Sequence, residues 1–275
     1  PRIIAAEILF CIGFTEPNAG SDLAALECSA SQDGDEFIIH GQKIFTSNAH
    51  VSDYIMLATR TDRNVPKHKG ITMFIVPMDA EGVTVRPIYT LGGGRVNETF
   101  FEDVRIPREN MVGEINQGWH YITTHLDYER SGTYAVGLCK KALEMIIEYA
   151  KNNAANGNPM SKDPITRQKL ARLETELEVA RLLAYRVSCM QSKGLIPNYE
   201  SSMTKLYTSE TIQKISHTGL QIMELYGLLN RHSKHAPMDG YIESLYRGSV
   251  MYTIGAGTSE IQKLIIAGRG LGLTR

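Results

Sequence analysis

The hydrophobic pattern of this 275-residue chain changes period near residue 115, and that change restricts the fold more than any other feature. Before it, short β-branched and aromatic runs alternate with turn formers. The runs are Glu36-Phe37-Ile38-Ile39, Tyr54-Ile55-Met56-Leu57, Ile71 to Val76, and Thr99-Phe100-Phe101. Between them lie Gln32-Asp33-Gly34-Asp35, Asp79-Ala80-Glu81-Gly82 and Gly92-Gly93-Gly94. Strands in this rhythm, with no long helical pattern between them, predict an antiparallel sheet or barrel rather than βαβ units. After Gly118 the period is helical. Leu170, Leu173, Leu177, Ala180, Ala184 and Val187 fall three, four and seven residues apart, which places them on one buried face. Further helices are predicted over 119–153, 202–227 and 239–254, with an Asn- and Gly-rich loop from Asn152 to Pro159. The second half reads as a bundle of four or five helices. The predicted class is therefore α+β, with a middle β-domain over 11–115 and a C-terminal helical bundle over 116–275. Pro1 to Glu7 carry a helix-like apolar pattern with nothing ahead of them to pack against. Residues 1–10 are accordingly expected to be the tail of an element that begins upstream.

Bulk properties exclude several function classes. At 43% hydrophobic content the chain can bury a substantial core. A formal net charge of −1 provides no basic field for nucleic acid. Cys11, Cys28, Cys139 and Cys189 lie far apart with no CxxC pair, which argues against a disulfide framework and a zinc site. No apolar run approaches the roughly 20 residues that span a bilayer.

Three segments could carry chemistry. In Phe14-Thr15-Glu16-Pro17-Asn18-Ala19-Gly20-Ser21-Asp22, small residues beside hydroxyls give a backbone that can approach a ligand closely, although ordinary inter-strand loops share this composition. Leu126-Asp127-Tyr128-Glu129-Arg130-Ser131-Gly132 sets an acid beside a base, and a lone Glu on a helix is usually solvated. In Ile254-Gly255-Ala256-Gly257-Thr258-Ser259-Glu260, two glycines interrupt a helical pattern before a new one opens. Thr258 or Ser259 could cap that helix, and a plain helix–turn–helix is the alternative. Gly92-Gly93-Gly94 lacks the strand–GxGxxG–helix context of a dinucleotide fingerprint and reads as a turn. His232 and His235 sit in a polar loop without metal-ligand spacing, so no metal site is expected. Trp119 reads as a core anchor.

Individually these signals are weak, but their order and spacing resemble the acyl-CoA dehydrogenase family. FTEPNAGSD at 14–22 resembles the first signature of that family, and GQKIFTSNA at 41–49 its second flavin-contacting strand. FFEDVRIPRENMVGE at 100–114 resembles its exit from the β-domain, and IGAGTSEIQKLIIAGR at 254–269 its C-terminal signature. The resemblance is collinear over essentially the whole chain and implies that an N-terminal helical domain is missing. It also implies an FAD-dependent enzyme that converts an acyl-CoA thioester to the trans-2-enoyl-CoA, as in fatty acid β-oxidation. In the family, FAD lies between β-domain and bundle.

By this resemblance Ile12, Phe14, Thr15, Gly20 and Ser21 line the flavin. Thr15 bonds the ring edge and Ser21 lies near the pantetheine. Phe45-Thr46-Ser47 stand where the family usually has Trp-Ile-Thr; Phe45 replaces the stacking ring and Ser47 keeps a hydroxyl near flavin N5. Thr258, Ser259 and Glu260 resemble the second flavin-binding segment, with Gln221 in a further cofactor turn. Many members carry the base immediately before the Gly-Thr of the C-terminal signature, where this chain has Ala256. The branch resembling isovaleryl- and long-chain-type enzymes carries it on the first long helix of the bundle, in a Leu-Glu-Arg context that Asp127-Tyr128-Glu129-Arg130 matches. Glu129 is thus the expected base, and the Ala256 N–H the expected donor to the thioester carbonyl. Asp127, Arg130 and Gly257 are expected at the substrate, with Arg130 binding the CoA end or orienting its helix.

Three departures touch the cross-subunit half of the family's FAD site. Asn153 stands for an Arg, Asp163-Pro164 replace a Phe-Gln pair, and Gln221-Ile222-Met223-Glu224-Leu225 replace a Gln-x-x-Gly-Gly turn. A Glu224 near a pyrophosphate would be repulsive. The resemblance implies a homotetramer or an α2β2 heterotetramer, with an electron-transferring flavoprotein as redox partner. A location in bacterial cytoplasm or mitochondrial matrix is expected. A non-catalytic partner subunit is the alternative that the departures favour and Glu129 opposes. A flavin monooxygenase on the same fold is a third reading, which Glu129 also opposes.

Overall fold

The strand runs of the first half assemble into one eight-stranded sheet in the computed structural model, which describes residues 1–155 and 157–273. The strands are β1 (Phe10–Gly13), β2 (Ser29–Asp33), β3 (Glu36–Lys43), β4 (Tyr54–Arg60), β5 (Ile71–Pro77), β6 (Val83–Tyr89), β7 (Arg95–Pro107) and β8 (Met111–Val112). Their order is β6-β7-β3-β2-β4-β5-β8, with β1 beside β4. Pairing is antiparallel except that β1 runs parallel to β4, and β2 meets β4 in parallel at Ser29–Arg60. Inward residues fill the sheet core, where the Phe37 and Phe74 rings stand 4.8 Å apart. Gly41 sits at a bulge opposite β7, and a Cβ there would lie 2.7 Å from the Cys28 Cα.

Six α-helices follow among the described residues: α1 (Gly118–Glu129), α2 (Thr133–Asn152), α3 (Pro164–Ser192), α4 (Tyr199–Met223), α5 (Tyr241–Tyr252) and α6 (Ser259–Ile265). The single helix expected over 119–153 is broken after Glu129. Gly132 adopts φ 78°, and a Cβ there would lie 2.3 Å from Thr204 Cγ2, so a tertiary approach to α4 accounts for the glycine. α3 buries the expected stripe from Leu170 to Val187. Asp163 caps it by accepting from Thr166 N at 2.7 Å, and Pro164 occupies the first turn, where its missing N–H costs nothing. α4 is buried on nearly all sides by small hydroxyls. Ser201, Thr204, Thr208 and Thr211 each donate to the carbonyl four residues back. Back-bonding lets these polar side chains be buried while α2, α3, α5 and α6 approach closely. The helix starts earlier than expected and ends at Met223, where Glu224 takes φ 51°.

The chain divides into two units, 1–90 with 94–125, and 91–93 with 126–275. α1 begins in the first and its last turn belongs to the second. Pro1 to Glu7 are exposed and form a single helical turn, with Ala5 N donating to the Pro1 carbonyl at 2.9 Å, that ends where Ala6 takes φ 56°, rather than a continuous helix. Among the described residues, no helix is long and apolar enough to cross a membrane.

Candidate active site

In the sheet unit, the loop after β1 is fixed by a buried ion pair. Glu16 and Ala19 exchange two backbone hydrogen bonds of 3.1 Å, closing a turn over Pro17-Asn18. The Glu16 carboxylate accepts from Glu27 N at 2.6 Å, Cys28 N at 2.9 Å and Lys43 Nζ at 2.7 Å. Lys43 Nζ also donates to the Phe14 carbonyl at 3.1 Å. With side chains 0% and 8% exposed, both charges are out of water and rely on these bonds. Ile44 N donates to the Thr15 carbonyl at 2.9 Å, which ties the loop to the segment after β3. Ile12 and Thr15 are half-buried, while Gly20 and Ser21 are exposed. Phe14 is buried, and its ring meets His125 edge-on at 5.9 Å.

The segment after β3 presents an aromatic side chain. Phe45 takes φ 58° and is 60% exposed, an unusual conformation for a bulky residue that the neighbouring pairing sustains. Thr46 and Asn97 exchange backbone bonds of 2.9 and 3.1 Å, and Asn97 Nδ2 adds a bond to the Thr46 carbonyl at 2.8 Å. The Thr46 hydroxyl is buried with no hydrogen-bond partner among the described residues. Ser47 is exposed.

In the helical unit, the C-terminal signature turn is held from three elements. Ala256 and Gly257 adopt consecutive left-handed conformations, φ 54° and 92°. The Ala256 carbonyl accepts from Arg130 Nε at 3.0 Å and Gln262 Nε2 at 3.2 Å. The Gly257 carbonyl accepts from Lys205 Nζ at 2.6 Å and Gln262 Nε2 at 3.0 Å. Arg130 is buried, with Nη1 3.7 Å from Asp127. Asp127, also buried, accepts from Asn198 Nδ2 at 2.9 Å, and its own carbonyl accepts from Ser201 Oγ at 2.9 Å. Asp127 and Arg130 thus both bond to groups of the protein itself. Glu129 is exposed at the end of α1, and its charge acts on both Arg130 and Lys205.

These charges perturb one another. Burial pushes the Arg130 guanidinium down, against the raising effects of Asp127 and Glu129. Burial, then repulsion from Arg130, lowers Lys205 to about 8. At the start of α6, Thr258 rather than Ser259 is the cap, accepting from Ile261 N at 3.3 Å. Backbone and Thr258 hydrogen bonds hold Glu260 below the ordinary carboxylate range. Thr258, Ser259 and Glu260 line a recess of about 480 Å³ with Glu210, Gln213 and Lys214, and the buried Ser259 hydroxyl has no partner among the described residues.

Gln221, on the last turn of α4, is exposed and tied to Lys169 and His217 at 3.0 and 2.9 Å. Asn153 caps α2 and donates to the Tyr149 carbonyl at 2.9 Å. Inspection of the sequence missed Lys43, Lys205, Gln262 and Asn97. The available signals were an acid and a base inside the two motifs of the sheet half (Glu16 and Lys43), and a lysine flanked by serines and threonines in the hydroxyl-rich α4 (Lys205).

Comparison with known proteins matches residues 11–104 to the acyl-CoA dehydrogenase middle domain and residues 116–271 to the acyl-CoA dehydrogenase C-terminal domain. Acyl-CoA dehydrogenase FadE26 of Mycobacterium tuberculosis (strain ATCC 25618 / H37Rv) is 34% identical over 282 residues, covering 100% of this chain and 70% of that protein. The solved Tcur3481-Tcur3483 steroid ACAD superposes with a TM-score of 0.93 at 40% identity, covering 100% of this chain and 71% of the other. The ChsE4-ChsE5 complex of Mycobacterium tuberculosis gives 0.92 at 34% identity, with the same coverage.

Proposed function

The chain belongs to the acyl-CoA dehydrogenase family, and from that premise we propose that it dehydrogenates an acyl-CoA thioester to the trans-2-enoyl-CoA, with FAD as cofactor and Glu129 as base. The observation that carries this reading is the pairing of Glu129 with Ala256. The family's usual base position is an alanine here, and the carboxylate at the other position is followed directly by Arg130, whose guanidinium binds the Ala256 carbonyl at 3.0 Å. Glu129 is thus the sequence neighbour of the residue that binds this turn, which supports its assignment as base.

The residues present fit FAD in each unit. In the sheet unit, the exposed Phe45 offers a flat apolar surface beside the orphaned Thr46 hydroxyl. Phe14 and Thr15 are held by bonds to their carbonyls from Lys43 and Ile44, in the same loop as the exposed Gly20 and Ser21. In the helical unit, the Ser259 hydroxyl lacks a partner and Thr258 lines a recess. Gln221 and Glu260 complete the proposed cofactor set. Bound FAD supplies the acceptor for the substrate β-hydride. Glu129 takes the α-proton, and the Ala256 N–H donates to the thioester carbonyl as charge builds there. A donor so placed is typically worth about 3–4 kcal/mol. Glu129→Gln should abolish reduction of bound FAD by acyl-CoA while binding persists; normal single-turnover reduction in that variant excludes Glu129. Restoring a carboxylate with Ala256→Glu in the Glu129→Gln background should recover part of the rate.

Assembly with an unequal subunit, and electron delivery to an electron-transferring flavoprotein, complete the proposal. Asn153, Asp163-Pro164 and Glu224 favour a heteromer, since each has a local role in helix capping or termination and lacks the cationic or aromatic character of the family pattern. The ChsE4-ChsE5 relative is itself a complex. Flavin retention should then rise when the chain is co-expressed with a second, non-identical family subunit.

A further inference from the structure

We propose that Arg130, Lys205 and Gln262 act as positioning residues, a three-armed clamp that holds the Ala256–Gly257 turn in the conformation from which its backbone receives the thioester carbonyl. The inference rests on the reading above, that the Ala256 N–H is the carbonyl donor.

The turn needs holding. Two successive left-handed residues, one of them an alanine, are disfavoured unless surrounding structure fixes them. Four hydrogen bonds fix this pair, and all of them land on its two carbonyl oxygens. The donors come from separate elements: Arg130 just after α1, Lys205 in the middle of α4, and Gln262 in α6. Tethering both oxygens fixes the two peptides that follow Ala256 and Gly257. The peptide before Ala256, which carries the Ala256 N–H, is then aimed through the left-handed backbone of Ala256 itself.

The composition of the clamp exceeds what a simple fold contact requires. Two buried cations, Arg130 and Lys205, serve adjacent carbonyls although each repels the other. Asp127, Glu129, Glu210 and Glu260 offset that repulsion from α1, α4 and α6. Gln262 is fully buried and gives its amide group to both carbonyls, leaving Oε1 without a partner among the described residues. The opposite amide orientation would set its oxygen against two carbonyl oxygens, so the orphaned Oε1 is the lesser cost. Gly257 is required by the same contact: a Cβ there would lie 2.6 Å from Gln262 Nε2.

The test uses the full-length, flavin-loaded protein and ¹³C-carbonyl acyl-CoAs (butyryl, octanoyl and cyclohexanecarbonyl). The infrared carbonyl band of the bound thioester is recorded in the Glu129→Gln background, where the substrate is not consumed. Adding Gln262→Met should return the band toward its position in free acyl-CoA. In the Glu129-containing enzyme, Gln262→Met should slow flavin reduction at saturating substrate at least tenfold, while acyl-CoA affinity changes less than threefold. Arg130→Lys keeps the charge but alters the donor geometry and should give an intermediate band and rate, which serves if Gln262→Met fails to fold. An unchanged band and rate in whichever of these variants retains flavin overturns the clamp. A Glu129→Gln protein whose bound thioester shows no band shift at all overturns the underlying reading, and the clamp with it.

Discussion

Lys43 Nζ lies 2.7 Å from Glu16 Oε1, in a pair that is almost wholly buried and joins the loop after β1 to the end of β3. Removing one partner strands the other charge. Lys43→Met leaves the Glu16 carboxylate with two backbone N–H donors and no ion-pair partner in hydrogen-bond contact. The remaining nearby cation is Arg60, whose guanidinium is bonded to backbone carbonyls. The expected cost is about 3–5 kcal/mol, read as a lower urea midpoint at unchanged slope. Lys43→Met combined with Glu16→Gln should cost less than the sum of the single changes, by about 0.5–3 kcal/mol, because the stranded charge is gone. Simple additivity would show that the two groups do not act as a pair.

The break between α1 and α2 makes a second test. Gly132 combines φ 78° with a Cβ position 2.3 Å from Thr204 Cγ2. Gly132→Ala therefore meets both backbone strain and a clash, and should destabilise by about 2–4 kcal/mol. Thr204→Ser removes the obstructing methyl but keeps the hydroxyl that bonds the Glu200 carbonyl. The double change should recover the clash share and leave the strain. If Gly132→Ala is harmless, the close approach to α4 is not what ends the helix.

The strand runs and the α3 stripe were legible in the sequence because one side of each faces a core, and burial imposes periods of 2 and 3.6. The break at Gly132 was not legible, since its cause is a methyl group 72 positions away in α4. α4 itself shows the limit of periodicity, because its buried surface is made of Ser and Thr that satisfy themselves on their own helix. At the candidate site, the positions of Glu129 and Ala256 could be read from motif order. The donors that hold the Ala256–Gly257 turn could not, because a lysine or glutamine in a helix carries no mark of the carbonyl it will meet.

Thiol accessibility checks the two cores. Burial pushes Cys28 up to about 11 and Cys139 up to about 12, and raises Cys11 as well, so these three are kept as unreactive thiols. Cys189, on the exposed side of α3, is the free thiol within reach of solvent among the described residues. Native protein should consume one equivalent of a thiol reagent quickly and four in urea. Cys189→Ser should remove the fast phase. Rapid labelling of a second cysteine in native protein would show that one of the cores opens.

Lys205 gives the clamp a pH signature in stability. Its folded value is about 8, against an ordinary lysine value of 10.5. Between these limits the unfolded chain still holds the proton that the folded chain has released. Stability therefore rises with pH through this window, as the cost of burying the charge is relieved. Below about pH 8 both states are protonated and the contribution is flat. Cys28 and Cys139 work in the opposite sense above about pH 9, because their thiols ionise in the unfolded chain first. Comparison with Lys205→Met cancels that background, since both proteins keep the cysteines. Relative to the variant, the wild type should gain on the order of 1–3 kcal/mol between pH 8 and 10.5, measured by urea unfolding at fixed ionic strength. A difference between the two proteins that stays constant across this range would mean that Lys205 keeps an ordinary ammonium, hydrated in the folded state rather than buried against the Gly257 carbonyl.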